Sequence, residues 1–197
     1  MAAFKFPFVG GDPSLDLVNT LVHRGRPDGP DDLLRSGQHA VEWFRLAGLL
    51  SPDAAGRLDP DAALYSARRL RAALDALYRP LATGEPHGDD SARGLLTLNA
   101  VLDQGRERVQ LRHEPPDFHE WHTFETIGPS DPAVGVARTA ATLLHTLTPG
   151  RLKVCQNPDC DLLFHDTSRN ASRRWCDMST CGNVTKQTRY RARHDRS

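Results

Sequence analysis

Residues 155–183 read CQNPDCDLLFHDTSRNASRRWCDMSTCGN, and this stretch contains every cysteine of the 197-residue chain. The cysteines form two pairs of equal spacing, Cys155 with Cys160 and Cys176 with Cys181. Two such pairs supply the four ligands of a closed tetrahedral zinc site, which leaves no coordination position for catalysis. The spacing therefore predicts one structural Zn²⁺ per chain, held by these four thiolates.

Disulfide bonds are the alternative use of paired cysteines, and the cellular compartment decides between the two. The first residues, MAAFKFPFVGGDPS, lack the charged start and long apolar run of a secretory signal. No stretch approaches the ~18 uninterrupted apolar residues of a membrane span. We therefore expect a cytoplasmic protein with no membrane partner, and paired cysteines in a reducing compartment are more often metal ligands than disulfides. Confinement to one segment also argues against four unrelated core cysteines.

The segments that flank the cysteines predict the local fold. RLKV before Cys155 and DLLF after Cys160 have strand character, and the Asn-Pro-Asp sequence between these cysteines favours a turn. The first pair is therefore expected at the tip of a hairpin. After the second pair, Asn183 is placed to cap a helix over residues 184–193. A hairpin knuckle followed by a knuckle that opens a helix is a treble-clef-like arrangement.

The formal net charge of the chain is zero, but the charge is unevenly distributed. Residues 1–150 hold 15 Lys and Arg against 20 Asp and Glu, whereas residues 151–197 hold 10 against 5. An acidic region joined to a basic one predicts two modules with different partners. We place the boundary at the Thr-Pro-Gly sequence of residues 148–150. Residues 1–150 are then a helical domain and residues 151–197 a zinc finger.

The cations of the C-terminal region are the predicted contacts to duplex DNA. A helix over residues 168–175 would place Arg169 and Arg173 on one face, and a helix after Asn183 would align further cations in one stripe. Guanidinium groups pair bidentately with phosphate or with the guanine edge. The alternatives are solvated arginines without a partner, and a docking module that binds an acidic protein. The predicted nucleic-acid-binding residues are Arg169, Arg173, Arg174, Lys186, Arg189, Tyr190, Arg191 and Arg193.

Most of the first 150 residues have the apolar spacing of helices that begin at a capping residue. The predicted elements are helices capped by Asp12, Ser36 and Asp59, helices over residues 90–104 and 131–147, and a hairpin of strands 106–113 and 118–127. The expected fold class is α+β, with a predominantly helical N-terminal domain that contains a small β-hairpin, and a C-terminal treble-clef-like zinc finger.

A polar stripe marks the first predicted helix, where Asp16, Asn19, Thr20 and His23 share one side. One interpretation is a pocket that binds a small-molecule effector. The other is a partly buried structural network that ties the helix to the N-terminal segment. No nucleophile–base pair or phosphate-binding glycine loop is present in the sequence, so we expect a protein that is not an enzyme. The alternative is an enzyme centred on this stripe whose finger serves only for targeting.

The pattern C-x4-C-x3-F-x-D-x-S-R-N-x-S-R-R-W-C-x4-C-G-N runs from Cys155 to Asn183. It resembles the CGNR zinc finger family of bacterial transcription regulators. The sequence GGDPSLDLVNTLVHR, residues 10–24, is similar to the opening of the ABATE-type domain that precedes this finger in the family.

The resemblance implies a zinc-dependent DNA-binding finger attached to a domain that senses a small molecule or a stress signal. Specific binding by such a small finger would need a homodimer with paired half-sites. The chain departs from the family at Val184, where the family name has an arginine. The contact of that arginine is therefore missing here, or Lys186 or Arg189 supplies it.

Overall fold

A computed structural model describes residues 5–126 and 131–184 of the chain. Six helices and three antiparallel strand pairs lie in these ranges, followed by one turn of π-helix. In chain order they are α1 (Pro13–Val18), β1 (Leu21–Val22), β2 (Asp31–Asp32), α2 (Gly37–Leu46), α3 (Pro52–Ala55), α4 (Pro60–Thr83), α5 (Asp89–Leu102), β3 (Gly105–Glu114), β4 (Asp117–Thr126), α6 (Ala133–Thr146), β5 (Leu152–Val154), β6 (Leu163–His165) and the π-turn Met178–Gly182.

The predicted helix starts are confirmed. The side chains of Asp12, Ser36 and Asp59 accept hydrogen bonds from backbone amides in the first turns of α1, α2 and α4. Each cap satisfies a donor that the helix itself leaves without a partner. The prediction that the first helix continues through His23 is wrong. It ends at Val18, and the next residues, Leu21 and Val22, pair with β2 instead.

Helix α4, with 24 residues, is the centre of the fold and packs against α1, α2, α5 and α6. The buried core is built from large apolar side chains, among them Trp43, Phe44, Leu70 and Tyr78. The crossing of α4 and α5 is close, because a Cβ at Gly94 would lie 2.6 Å from the carbonyl oxygen of Ala73. No helix in the described part of the chain is both long and apolar enough to cross a membrane.

The short hairpin of β5 and β6 joins the same core. Leu152 pairs with His165, and Val154 pairs with Leu163. Leu152 and Leu163 are buried in one apolar cluster with side chains of the helices, and β5 packs on α4. The predicted boundary at residue 150 therefore separates two segments that share one core.

The predicted hairpin in the helical region is confirmed, and it is a ten-residue ribbon, β3 paired with β4 from Gly105↔Thr126 to Glu114↔Asp117. Both faces of the described part of the ribbon are exposed. The pairing places Val109, Leu111 and Phe118 on one face, and all three are largely exposed. Trp121 lies on the other face, with the guanidinium of Arg112 4.1 Å from its ring centre.

Candidate metal centre and finger surface

The hairpin brings the first cysteine pair together, as the sequence predicts. The amide of Cys155 donates to the carbonyl of Leu162, and the amide of Cys160 donates to the carbonyl of Asn157 in the turn between the cysteines. Backbone hydrogen bonds from Asn157 and Leu162 also reach the sulfurs of Cys155 and Cys160, each two residues earlier in the chain. The loop is therefore a knuckle that aims two sulfurs at one point.

The second pair spans the π-turn Met178–Gly182. Asp177 caps this turn, since its Oδ1 accepts from the Thr180 amide at 2.8 Å and from the Ser179 hydroxyl at 2.6 Å. The turn places Cys181 beside Cys176, whose amide donates to Cys155 Sγ at 3.4 Å. The helix predicted from residue 184 onward falls mostly outside the described residues, so the treble-clef arrangement stays a prediction.

The four sulfurs have the geometry of one tetrahedral site. All four Sγ atoms lie within 4.8 Å of one another. The Cys160–Cys176 and Cys176–Cys181 sulfur pairs are 3.8 Å and 3.7 Å apart. A tetrahedron with zinc–sulfur distances of about 2.3 Å has edges of about 3.8 Å. The four cysteines therefore fit one structural Zn²⁺.

The pKa values of the thiols also favour a metal ion at this position. Hydrogen bonding from the thiols of Cys160 and Cys176 lowers the pKa of Cys155, whereas hydrogen bonding with Cys155 raises the pKa of Cys160 and of Cys176. A crowded group of thiols thus accepts one negative charge readily and resists further ionisation. A divalent cation at the centre removes this conflict, because coordinated thiols are deprotonated.

Asp166 is the polar centre of the loop between the two pairs, and its side chain is fully buried. Its Oδ1 accepts from the amide and hydroxyl of Ser168, and its Oδ2 accepts from Lys153 Nζ at 2.7 Å and from the Arg173 amide at 2.9 Å. Burial opposes ionisation of Asp166, but the Lys153 ammonium and these donors outweigh it and hold the pKa well below its usual range. The loop is therefore ordered around an ionised carboxylate.

Arg173, a predicted DNA contact, points into the protein. Its guanidinium lies 4.6 Å from the ring centre of Phe164 and donates to the carbonyl oxygens of Trp175, Cys176 and Val9. It therefore ties the second cysteine pair to the N-terminal segment. The structure does not contain the helix considered for residues 168–175. This segment is an irregular loop in which Ala171 has a φ of 49°.

Arg169 and Arg174 are exposed on the same loop. Arg174 Nε donates to Gln156 Oε1 at 2.6 Å, which fixes its side chain over the first knuckle. The other predicted DNA contacts lie outside the described residues. They are Lys186, Arg189, Tyr190, Arg191 and Arg193.

Most side chains of the polar stripe on the first predicted helix make hydrogen bonds within the protein. Asp16, Asn19 and Thr20 are buried. Asp16 Oδ1 accepts from the Gly10 amide at 2.7 Å, and the Thr20 hydroxyl accepts from Arg71. His23 is partly exposed, and its Nδ1 lies 2.8 Å from Asp31 Oδ2.

Asn19 joins the helical region to the finger. Its Nδ2 donates to the carbonyl of Leu163 at 2.9 Å, and its Oδ1 accepts from the amide of Leu163 at 2.8 Å. The side chain thus pairs with the backbone of β6 as a neighbouring strand would.

Asp16 is also affected by its burial, which raises the pKa of its carboxyl to about 6.

A second connection, which the sequence did not reveal, begins at Asp161 in the first knuckle. Its carboxylate accepts from the backbone amides of His23 at 3.2 Å and Arg24 at 2.6 Å. Its backbone carbonyl accepts from Arg79 Nη1 of α4 at 3.1 Å. Asp75 orients both arginines through Arg24 Nη1 and Arg79 Nε, each at 2.9 Å. Movement of this part of the helical region would therefore act directly on the metal knuckle.

Two family models match the chain. Residues 11–147 match the ABATE model, whose description is "Putative stress-induced transcription regulator". Residues 151–194 match the model of the CGNR zinc finger. No curated protein matches the chain. The two matched segments adjoin between residues 147 and 151, at the point where α6 has ended and the finger hairpin is about to begin.

Proposed function

Because the chain belongs to the ABATE family and carries a CGNR zinc finger, we propose that it is a DNA-binding transcription regulator whose helical region responds to a small molecule. Taken together, the two family descriptions, one of a transcription regulator and one of a zinc finger, suggest a zinc-binding regulator. The observation that carries the proposal is the convergence of four sulfurs on one metal position, with exposed arginines on the loop between the pairs.

The exposed face of this loop is the proposed DNA-contacting surface. Arg169 and Arg174 present guanidinium groups to solvent on a loop that the zinc and Asp166 hold in place. Arg173 supports this surface from within, since its guanidinium is used in backbone contacts. Rigid placement matters because an ordered arginine loses less conformational entropy when it binds phosphate.

The salt dependence of duplex binding tests the DNA proposal. We expect log affinity to fall with log salt, with a slope near −0.9 for each phosphate that a cation neutralises. Four such contacts give a slope of roughly −3.6. Replacing Arg174 with alanine should make the slope shallower by about 1.

The matched control is Arg57→Ala, which removes an exposed arginine of the helical region. It should leave both the affinity and the slope unchanged. A flat salt response of the zinc-loaded protein would contradict DNA binding and would favour the alternative, a docking module for an acidic protein. We propose a binding role rather than catalysis, since a zinc ion with four thiolate ligands has no open position for a substrate.

A homodimer is the proposed assembly, since a single small finger reads few base pairs. The β3–β4 ribbon supports it. Within the described residues neither edge of the ribbon pairs with a further strand, and Val109, Leu111 and Phe118 lie on one face, so the ribbon is suited to pairing with its copy. Leu111→Glu should shift the protein towards monomer in light scattering. Gln110→Glu, one residue away on the opposite face, should not. A monomeric wild-type protein at micromolar concentration would contradict this assembly.

A further inference from the structure

A cavity of about 500 Å³ lies between the N-terminal segment, β1 and the two metal knuckles. This volume is within the range of small-molecule sites, roughly 300–1,000 Å³. The residues that line it come from three distant parts of the sequence. Among these residues are the metal ligands Cys160, Cys176 and Cys181. A molecule in this cavity would therefore touch the helical region and the metal centre at once.

The lining of the cavity is mainly apolar and partly aromatic. Phe6, Phe8, Val22 and Leu33 contribute from the helical region. The ring of Phe8 stacks on the buried Trp43 with 6.1 Å between centres, and Phe6 meets Phe8 edge to face at 6.5 Å. The rings are thus held in place by the core. Fixed aromatic rings bind apolar groups, and their faces attract cations.

Among the described residues that line the cavity, acidic side chains outnumber basic ones. The acidic residues are Asp159, Asp161 and Asp177, and the basic residue is Lys5. Four thiolates on one divalent zinc add a net charge of about −2. An apolar cavity with such a wall favours an apolar molecule that carries positive charge, and disfavours an anion of the same size.

One residue that lines the cavity has an uncommon backbone conformation. His23 lines the cavity and has a φ of 57°, in the left-handed region that favours glycine. Two carboxylates hold it there, Asp31 through the ring and Asp161 through the amide. Strained residues concentrate at ligand-binding and switching sites. Since Asp161 directly follows Cys160, an occupant that presses on His23 would press on the first knuckle.

We propose that this cavity binds a small lipophilic cation and that its occupancy shields the metal centre. The proposal gives a ligand class to the small-molecule response proposed above and rests on it, but the site is independent of DNA binding. The occupant would place its apolar groups against the phenylalanine rings and its charge towards the carboxylates and thiolates.

A pair of rigid ions with similar size and opposite charge provides the test. Tetraphenylphosphonium and tetraphenylborate are titrated separately into the zinc-loaded full-length protein by calorimetry, without DNA. We expect saturable binding of one tetraphenylphosphonium per chain and at least tenfold weaker binding of tetraphenylborate. In parallel, transfer of zinc to a chromogenic chelator should slow severalfold when tetraphenylphosphonium is present, because three of the four ligand residues line the cavity.

Variants locate the site. Val22→Trp, which fills the cavity, should weaken tetraphenylphosphonium binding at least tenfold. Asp159→Asn removes a carboxylate of an exposed residue and should weaken it a few-fold, which keeps the test valid if the tryptophan variant does not fold. The matched control, Asp53→Asn on α3, should bind as the wild type does.

Three results would overturn the proposal: no saturable binding of tetraphenylphosphonium, equal binding of both ions, or binding that neither cavity variant weakens. Because no DNA is present, these results leave the DNA proposal unaffected. Conversely, a flat salt response with duplex DNA leaves the cavity proposal standing.

Discussion

The helical region and the finger are stabilised by different means. In the helical region, large apolar side chains such as Trp43, Phe44 and Tyr78 fill a core around α4. The finger has a small cluster of its own, in which Phe164 is buried with Cys155 and Cys176. The rest of the finger is ordered by the buried carboxylate of Asp166 and by the cysteine site.

This difference follows from size. A segment of about fifty residues buries too little apolar surface to be stable by packing alone. Metal binding and a satisfied polar network replace the missing core of the finger, whereas the helical region has a large apolar core of its own. Single changes at the finger's sulfurs or at Asp166 should therefore be more damaging than polar changes in the helical region.

Loss of the metal should produce the largest difference between the two regions. Zinc binding to such sites contributes about 10–16 kcal/mol, so Cys176→Ser should release the ion and disorder residues 151–184. Amide hydrogen exchange should show lost protection there, with protection retained in α4 and α5. The control Ser172→Ala, in the same loop, should keep one zinc per chain. Stoichiometric zinc in the Cys176→Ser protein would contradict four-cysteine ligation.

The next effect concerns the carboxylate at the centre of the finger loop. Asp166→Ala removes the anionic partner of the partly buried Lys153 ammonium, which keeps the carbonyls of Ala171 and Arg173 as acceptors, and it leaves the amide of Arg173 without its carboxylate acceptor. Removing one partner of a buried charge pair costs about 3–5 kcal/mol. Chemical denaturation of zinc-loaded protein measures the loss. Thr167→Ala, at an exposed neighbour, should change stability by less than about 0.5 kcal/mol. A similarly small change for Asp166→Ala would show that the hydrogen bonds of the Asp166 carboxylate do not stabilise the finger.

The third prediction concerns Asn19, whose replacement tests how much its hydrogen bonds to Leu163 contribute to holding the helical region and the finger together. Its replacement by alanine leaves the amide and the carbonyl of Leu163 buried and without these partners. At about 1–3 kcal/mol for each of the two buried groups, the expected loss is about 2–6 kcal/mol. Zinc release to a chelator should also become faster, since Leu163 is in β6 of the metal hairpin. The exposed Asn99 of α5 is the control, and equal stability of the two alanine variants would mean that the regions are held together elsewhere.

The smallest effect is a pH dependence within the helical region. Burial raises the pKa of Asp16 to about 6, so the folded protein holds this proton more tightly than the unfolded chain. The resulting stability is fully present below the unfolded pKa near 4 and is lost as the pH rises through about 6. Between pH 7.5 and pH 5, Asp16 should add about 1.4 kcal/mol. The wild type minus Asp16→Asn difference in unfolding free energy isolates this contribution, and a difference independent of pH would contradict it.

The amino-acid sequence determined the features that depend on neighbouring residues. The caps at Asp12, Ser36 and Asp59 act on amides two or three residues away, so their signals are local. The cysteine spacing likewise identified the whole ligand set, because knuckles are short loops with fixed reach. The similarity of both chain ends to the ABATE and CGNR families is confirmed by the family models.

Only the tertiary structure decided which polar side chains meet across the chain. Asn19 and Leu163 are 144 positions apart, and no local pattern indicates that one completes the other. Arg173 was a predicted DNA contact, but it faces inward because Phe164 and the carbonyls of the cysteine loop surround it. The physical reason is that caps and knuckles are set by the backbone nearby, whereas the partner of a buried polar group depends on how distant segments pack.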